Sequence, residues 1–258
     1  MTRDTLRIAV TGVTGRMGKN LVLSVREAGY ALVGGTSRAE SPIADVRIVG
    51  DLSELISDVD AVIDFTHVST VVRHAEIVSE ARVAWVLGTT GLSAADQAAV
   101  EVASERTAVV QAANFSPGVT LVERLARQMG AALPAETYDV EIVEMHHRQK
   151  VDAPSGTALS IGAAVAAGRG FMLDAVREPA REGHCGARST GGIGFAALRG
   201  GQIVGEHTAL FTSAREQIGL THRAFDRRVF SDGAVMAAAW AAKQAAGLYS
   251  MEHVLGLI

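Results

Sequence analysis

The sequence predicts an α/β chain: a doubly wound parallel sheet, then an α+β region with an antiparallel or mixed sheet. Three observations predict it. Short apolar runs alternate with helical stretches over residues 6–113. The first run ends in a glycine-rich turn that opens a helix, Gly12-Val-Thr-Gly15-Arg-Met-Gly18. After Asn114-Phe-Ser-Pro-Gly118 the alternation gives way to consecutive strand-like runs with no long helix between them.

The run 6–12 is apolar and closes on glycine, which reads as a buried strand. Residues 16–28 carry helical periodicity, and Gly29 stops them. Four more strands are expected at 30–35, 61–65, 84–88 and 108–113. Helices are expected at 70–81 and 93–104, where Ser93 and Asp96 have capping-box spacing. Beyond the break come a helix over 120–132, strand alternation in 138–144, and a helix opened by Ser155 and running through Ala167. Strand-like runs follow at 194–198, 202–212 and 217–224. The chain then returns to helix. The expected domains are 1–116, rejoined by 229–258, for the nucleotide, and 117–228 for the substrate and for oligomerisation.

Composition narrows the partners. The 258 residues are 48% apolar and 20% charged, an ordinary globular balance with material for one large domain or two modest ones. The net charge is −4 and no Lys/Arg block is long enough to track a phosphate backbone, which argues against nucleic acid. The alanine-rich segment 233–247 is interrupted by Lys243 and Gln244 and is too short to span a membrane. The N-terminus carries no signal-peptide pattern, and one cysteine, Cys185, cannot form an internal disulfide, so a cytoplasmic location is expected.

The spacing Gly12, Gly15, Gly18 lies between a strand and a helix, where glycines admit a tight turn and let backbone amides approach a pyrophosphate. A turn that merely packs helix on strand is the alternative. The second strand ends in Gly35-Thr36-Ser37-Arg38, with no carboxylate for a free ribose diol. Hydroxyls and an arginine suit a 2′-phosphate instead, so NADPH is expected ahead of NADH; an exposed surface arginine is the plainer reading of Arg38. Gly88-Thr89-Thr90-Gly91 ends another strand, at the edge where open parallel sheets bind ligands.

The stretch 144–159, EMHHRQKVDAPSGTAL, puts two histidines, an arginine and a lysine within five positions. Metal is one reading, but adjacent strand residues point to opposite faces, and no second Cys or His pair stands at ligand spacing. A solvated basic loop is another. The third is a site for an anionic substrate with proton donors, since histidine titrates near neutrality and Ser155-Gly156-Thr157 opens a helix. Donors and an anion cradle so close together favour the third.

These residues closely resemble the 4-hydroxy-tetrahydrodipicolinate reductase (dihydrodipicolinate reductase) family. The resemblance runs through GVTGRMG, IDFT, GTTG, AANFSPGV, HHRQKVDAPSGTA, GGIGFAALRGGQIVGEH and DGAVMAAAW. It implies a Rossmann-like domain plus a substrate domain whose mixed sheet builds a homotetramer. The implied reaction is NAD(P)H-dependent reduction of a cyclic imine dicarboxylate, with loss of water, in lysine and diaminopimelate biosynthesis. It implies His146 and Lys150 as proton donors, and His147, Ser155, Gly156 and Thr157 as carboxylate ligands. Gly12, Val13, Thr14, Gly15, Arg16 and Met17 would line the cofactor with Gly88, Thr89 and Thr90 and with Ala112, Ala113, Asn114 and Phe115. Relatives commonly carry an acid just before the arginine after the second strand, where this chain has Ser37. Arg227 is a further substrate-side candidate, with an ion pair at the surface or between domains as its alternative. Competing readings are a dehydrogenase acting on aspartate or homoserine, and a non-catalytic sensor on the same fold.

Overall fold

The computed structural model describes residues 5–38, 42–178 and 180–258. The chain divides into two compact units, one running to Pro117 and resuming over Arg228–Ile258, the other Gly118–Arg227.

The first unit is a seven-stranded, all-parallel sheet. Its strands are β1 (Arg7–Thr11), β2 (Ala31–Thr36), β3 (Ile48–Val49), β4 (Ala61–Asp64), β5 (Ala84–Leu87), β6 (Ala108–Gln111) and β11 (Gly247–Tyr249). Their order is β11-β6-β5-β4-β1-β2-β3. The helices are α1 (Arg16–Glu27), α2 (Val71–Ala81), α3 (Ala94–Ser104), α7 (Arg228–Ala241) and the single turn α8 (Met251–Val254). Strand alternation explains why both faces are covered. Ile8, Val10, Ala61, Ile63, Ala84 and Val86 share one core with residues of α1 and α7. The intervening Ala9, Val62, Trp85 and Leu87 share the other with residues of α2 and α3. Near-continuous apolar strands are what a parallel sheet buried on both sides demands. The chain leaves β1 toward β2 on one side and returns to β4 on the other, so the sheet's topological switch point lies beside β1.

The second unit is a mixed four-stranded sheet of β7 (Asp139–His146), β8 (Ile193–Arg199), β9 (Gly205–Thr212) and β10 (Gln217–Ala224), in the order β10-β9-β7-β8. The β7–β8 pair is parallel; β7–β9 and β9–β10 are antiparallel. Three helices belong to this part of the chain: α4 (Pro117–Ala132), α5 (Gly156–Gly168) and the short α6 (Leu173–Val176). Val140 and Ile142 of β7 and Ala209 and Phe211 of β9 form one core with Val122 and Ala126 of α4 and Ile161 and Val165 of α5.

Several elements differ from the sequence expectation. Helix α4 begins at Pro117 rather than 120, because proline is tolerated in a helix's first turn, where its missing N–H costs nothing. Strand β7 runs on through His146 rather than ending at 144. Strand β9 starts at Gly205, not 202. Strands β3 and β11 were not expected at all. No helix among the described residues is long and apolar enough to cross a membrane. Cys185 is exposed.

Candidate active site

The parallel sheet brings the ends of β1, β2, β5 and β6 to one edge, and with them the predicted cofactor segments. Gly12 sits at φ +68°, and a Cβ on Gly18 would lie 2.3 Å from the Gly12 carbonyl oxygen, so α1 approaches the turn as only glycine permits. Gly15 caps α1 without a side-chain hydrogen bond, and no acidic residue stands in the first turn. The helix therefore opens on backbone amides and a positive dipole end with no carboxylate competing for them. Thr14 Oγ1 lies 2.7 Å from Ser37 Oγ, which ties the glycine turn to the end of β2. Arg38 is exposed beside it. Thr89, 7% exposed at the end of β5, has no hydrogen-bond partner for its hydroxyl among the described residues. An uncapped helix start, two bridged hydroxyls, an exposed arginine and an orphan hydroxyl at one sheet edge fit a nicotinamide dinucleotide.

Not every predicted residue offers a side chain there. Val13 and Phe115 are buried, and Met17 packs against the core. These three bring backbone to the edge. Arg16, Thr90 and Ala113 are exposed, and Gly88, Ala112 and Asn114 are partly so. Phe115 stacks edge-on against Phe65 with centroids 5.3 Å apart. Phe65 and Thr66 follow Asp64, a fully buried carboxylate that accepts from the Thr66 amide (3.1 Å) and hydroxyl (2.6 Å), and lies 2.7 Å from His74 Nδ1.

In the second unit, β7 carries an apolar pattern into a polar one without changing face. Val140, Ile142, Glu144 and His146 are buried at alternate positions, as period-two geometry requires. Glu144 is 1% exposed and is the centre of the cluster. Its Oε1 accepts from Arg199 Nη2 (2.8 Å) and the Ser155 amide (3.1 Å). Its Oε2 accepts from Arg199 Nη1 (2.8 Å) and lies 2.6 Å from His146 Nδ1. Burial alone would raise this carboxyl, but the Arg199 fork and the His146 ring outweigh it and hold the group below the ordinary carboxylate range. With Glu144 ionised, the hydrogen-bonded His146 Nδ1 carries the proton, which leaves Nε2 as the basic atom. Burial lowers the His146 pKa against the pull of Glu144. A Cβ on Gly205 would stand 3.1 Å from His146 Nε2, so glycine there keeps that nitrogen clear.

Around this pair lie the remaining predicted residues. Lys150 Nζ pairs with Asp152 at 2.9 Å. His147, just past the end of β7, meets Arg227, with Nε2 to Nη2 at 3.0 Å. A guanidinium only donates, so the His147 proton is on Nδ1, which is buried and has no partner among the described residues. Ser155 caps α5, its Oγ accepting from the Ala158 amide at 3.2 Å. Gly156 is exposed, with nothing within 4 Å of where its Cβ would stand, and Thr157 is half-buried behind it. No cluster of three or more metal-ligating side chains occurs among the described residues.

Sequence reading missed three members: Glu144, Arg199 and His207. Glu144 was discoverable, since Glu-x-His on a strand puts both side chains on one face. Arg199 and His207 were not. They sit opposite His146 and Glu144 only through the register of β8 and β9 on β7.

Comparison with known proteins agrees along the chain. The family model described as dihydrodipicolinate reductase, N-terminus, matches residues 6–115, and that for the C-terminus matches 118–255. The chain is 61% identical to the 4-hydroxy-tetrahydrodipicolinate reductase of Gluconacetobacter diazotrophicus over all of both chains. It is 58% identical to the enzyme of that name from Acidiphilium cryptum, over 98% of each. Among solved structures, a dipicolinate-bound dihydrodipicolinate reductase from Paenisporosarcina sp. TG-14 superposes with TM-score 0.78 at 24% identity, covering 95% of this chain and 97% of that one. An aspartate dehydrogenase from Thermotoga maritima shares the fold with TM-score 0.52 at 10% identity, covering 93% and 97%.

Proposed function

The chain belongs to the dihydrodipicolinate reductase family, and from that premise we propose how its own residues carry out the reaction. The reaction is the NAD(P)H-dependent reduction of 4-hydroxy-tetrahydrodipicolinate to tetrahydrodipicolinate with loss of water, in lysine and diaminopimelate biosynthesis. The substrate is a six-membered cyclic imine with two carboxylates and a 4-hydroxyl. Loss of water needs a base for the ring proton beside the hydroxyl-bearing carbon and an acid for the leaving oxygen. The bound reduced nicotinamide supplies the hydride to the carbon that bore the hydroxyl. The enamine left behind then takes a proton at the adjacent carbon.

The buried Glu144–His146 pair carries this reading. His146 Nε2 is the basic atom of a ring held by Glu144. It takes the ring proton as water leaves, and returns it to the same carbon after the hydride has arrived. His146 thus donates only after taking a second proton at Nε2. Lys150 gives the leaving hydroxyl its proton and recovers one from solvent, which accounts for the single proton consumed. The amides of Gly156 and Thr157 and the hydroxyls of Ser155 and Thr157 hold one carboxylate. His147, with its orphan Nδ1–H, and Arg227 serve the other. Reduced cofactor should be oxidised only when the condensation product of aspartate semialdehyde and pyruvate is present, read as loss of absorbance of the reduced nicotinamide. Aspartate and homoserine are run beside it with oxidised cofactor, read as gain of the same absorbance. Equal rates with and without the cyclic imine would overturn the assignment.

Ser37 and Arg38 set the cofactor preference in this proposal. The end of β2 offers no carboxylate to the ribose, and Arg38 is exposed beside the Thr14–Ser37 pair. NADPH is therefore expected to have the higher kcat/KM, with NADH also accepted through the shared glycine turn. The Ser37→Glu, Arg38→Ala double variant removes a charged donor and adds a ribose acceptor. It should move the NADPH/NADH ratio toward NADH by about ten- to a hundredfold, the worth of one hydrogen bond to a charged group. An unchanged ratio would show that another residue reads the ribose.

The oligomer belongs to the same proposal. On the face of the mixed sheet opposite the helices, the register places Val143, Met145, Ala196, Leu198 and Leu210, and Leu198 is 51% exposed. These side chains share the face with Glu141, Glu206 and Thr208, and a mixed face of this kind suits burial against other copies; a homotetramer is the assembly we assign. A cytoplasmic location accords with an exposed lone cysteine.

A further inference from the structure

His207 is buried at 4% exposure, opposite Glu144 in the β7–β9 register, and none of the roles above uses it. Its ring stands edge-on to His146 with centroids 5.1 Å apart. Its Nε2 lies 3.0 Å from Ser155 Oγ, and its Nδ1 has no partner among the described residues. Ser155 Oγ already accepts the Ala158 amide as the cap of α5. Two proton arrangements satisfy that geometry. In the first, Ser155 donates to Nε2, which forces the ring proton onto Nδ1 and buries an N–H without an acceptor. The serine then offers a ligand only a lone pair. In the second, Nε2–H donates to Ser155 Oγ. The serine oxygen has then accepted twice, and its own proton is available to an acceptor outside the pair. Orphaned buried N–H groups are rare in folded proteins, which favours the second arrangement. A bound carboxylate favours it again, because it needs a donor and is repelled by a lone pair.

We propose that His207 is a positioning residue for the substrate's carboxylate: its Nε2–H fixes the Ser155 hydroxyl as a donor toward the carboxylate at the start of α5. The inference rests on the reading of Ser155, Gly156 and Thr157 as a carboxylate site. Burial lowers the His207 pKa to about 4, with His146 adding to the shift, so the ring stays neutral through the working range and the choice of tautomer persists.

The direct test is ¹⁵N NMR of the wild-type protein with labelled histidine, assigned through a His207 variant, with and without pyridine-2,6-dicarboxylate. The Nε2–H tautomer is expected in both, and an Nδ1–H tautomer with the dicarboxylate bound would overturn the proposal. The second test is calorimetric affinity for pyridine-2,6-dicarboxylate in the presence of oxidised cofactor. His207→Leu should weaken binding about tenfold or more, and His207→Gln, which keeps an N–H donor, should recover most of it. In a Ser155→Ala background His207→Leu should add less than twofold, because the donor it positions is gone. Additive losses, or a His207→Leu affinity within twofold of wild type, would remove His207 from the site. A merely structural role would leave His207→Gln no better than His207→Leu. Wild-type protein that neither binds the dicarboxylate nor turns over the cyclic imine would instead sink the parent reading.

Discussion

Replacing His146 or Lys150 by alanine is expected to lower kcat by about 10²–10⁴, the range for one lost acid or base. Cofactor affinity should hardly change, since both residues lie in the second unit and the glycine turn lies in the first. The two losses should differ in their pH dependence. Glu144 fixes the His146 proton on Nδ1, and burial holds the ring's pKa below the ordinary histidine value. As a base the ring must start neutral, so wild-type kcat/KM should fall as pH drops through that depressed pKa. His146→Ala should lose this acid limb along with its rate, while Lys150→Ala should keep the limb at a lower plateau. The opposite limb, with activity falling as pH rises through a value below 6.5, would mean that the imidazolium form starts the reaction. Near-normal kcat in both variants would remove the pair from the reaction.

The first unit was legible because its signals are local. The run ending at Gly12, the helical period up to Gly29 and the Ser93/Asp96 spacing each draw on a few neighbouring residues, and the structure places β1, α1 and the α3 capping box accordingly. Strands β3 and β11 were not legible for the same reason. They are two and three residues long, too short for any period, and exist only as additions to β2 and β6. Near the candidate site the sequence misled in a more informative way. Strand β7 looked finished at 144 because Glu144 and His146 are polar, yet both continue its buried face. A hydrophobic-pattern reading cannot see a strand whose buried positions hold a satisfied ion cluster. The basic segment and the α5 cap could be read as a site from residue types alone. Glu144 was within reach of the same local reading, two residues before His146 on one strand, but Arg199 and His207 come from register between strands far apart in sequence, which no spacing rule encodes. On the cofactor side the motif names residues but not their orientation, and it does not say that Val13 and Phe115 turn their side chains into the core.

Glu144 is where stability and chemistry meet, and Glu144→Gln should reduce the stability of the second unit by about 1.5–3 kcal/mol, the worth of a hydrogen bond to a charged group, since the Arg199 left behind is partly exposed to water. The variant strands Arg199, whose guanidinium makes two 2.8 Å contacts to the carboxylate, and offers an amide N–H toward donors that need an acceptor. Both tryptophans, Trp85 and Trp240, lie in the first unit, so their fluorescence would miss the effect. Hydrogen exchange of amides in β7 and α5 under mild denaturant reads it directly. The pH dependence supplies the control. The folded pKa of Glu144 lies below its unfolded value, so its contribution is complete above the unfolded carboxylate pKa of about 4.3 and vanishes as pH falls through the folded one. The stability gap between wild type and Glu144→Gln should therefore be largest near neutrality and close at low pH. A gap that stays constant as pH falls would point to lost packing rather than lost charge. A gap below 1 kcal/mol at neutral pH would mean the cluster is solvated, and the tautomer assigned to His146 would lose its anchor. In the same variant the His146 proton is no longer pinned to Nδ1. The acid limb of kcat/KM should then move down in pH, because an amide does not stabilise the imidazolium form as the carboxylate does.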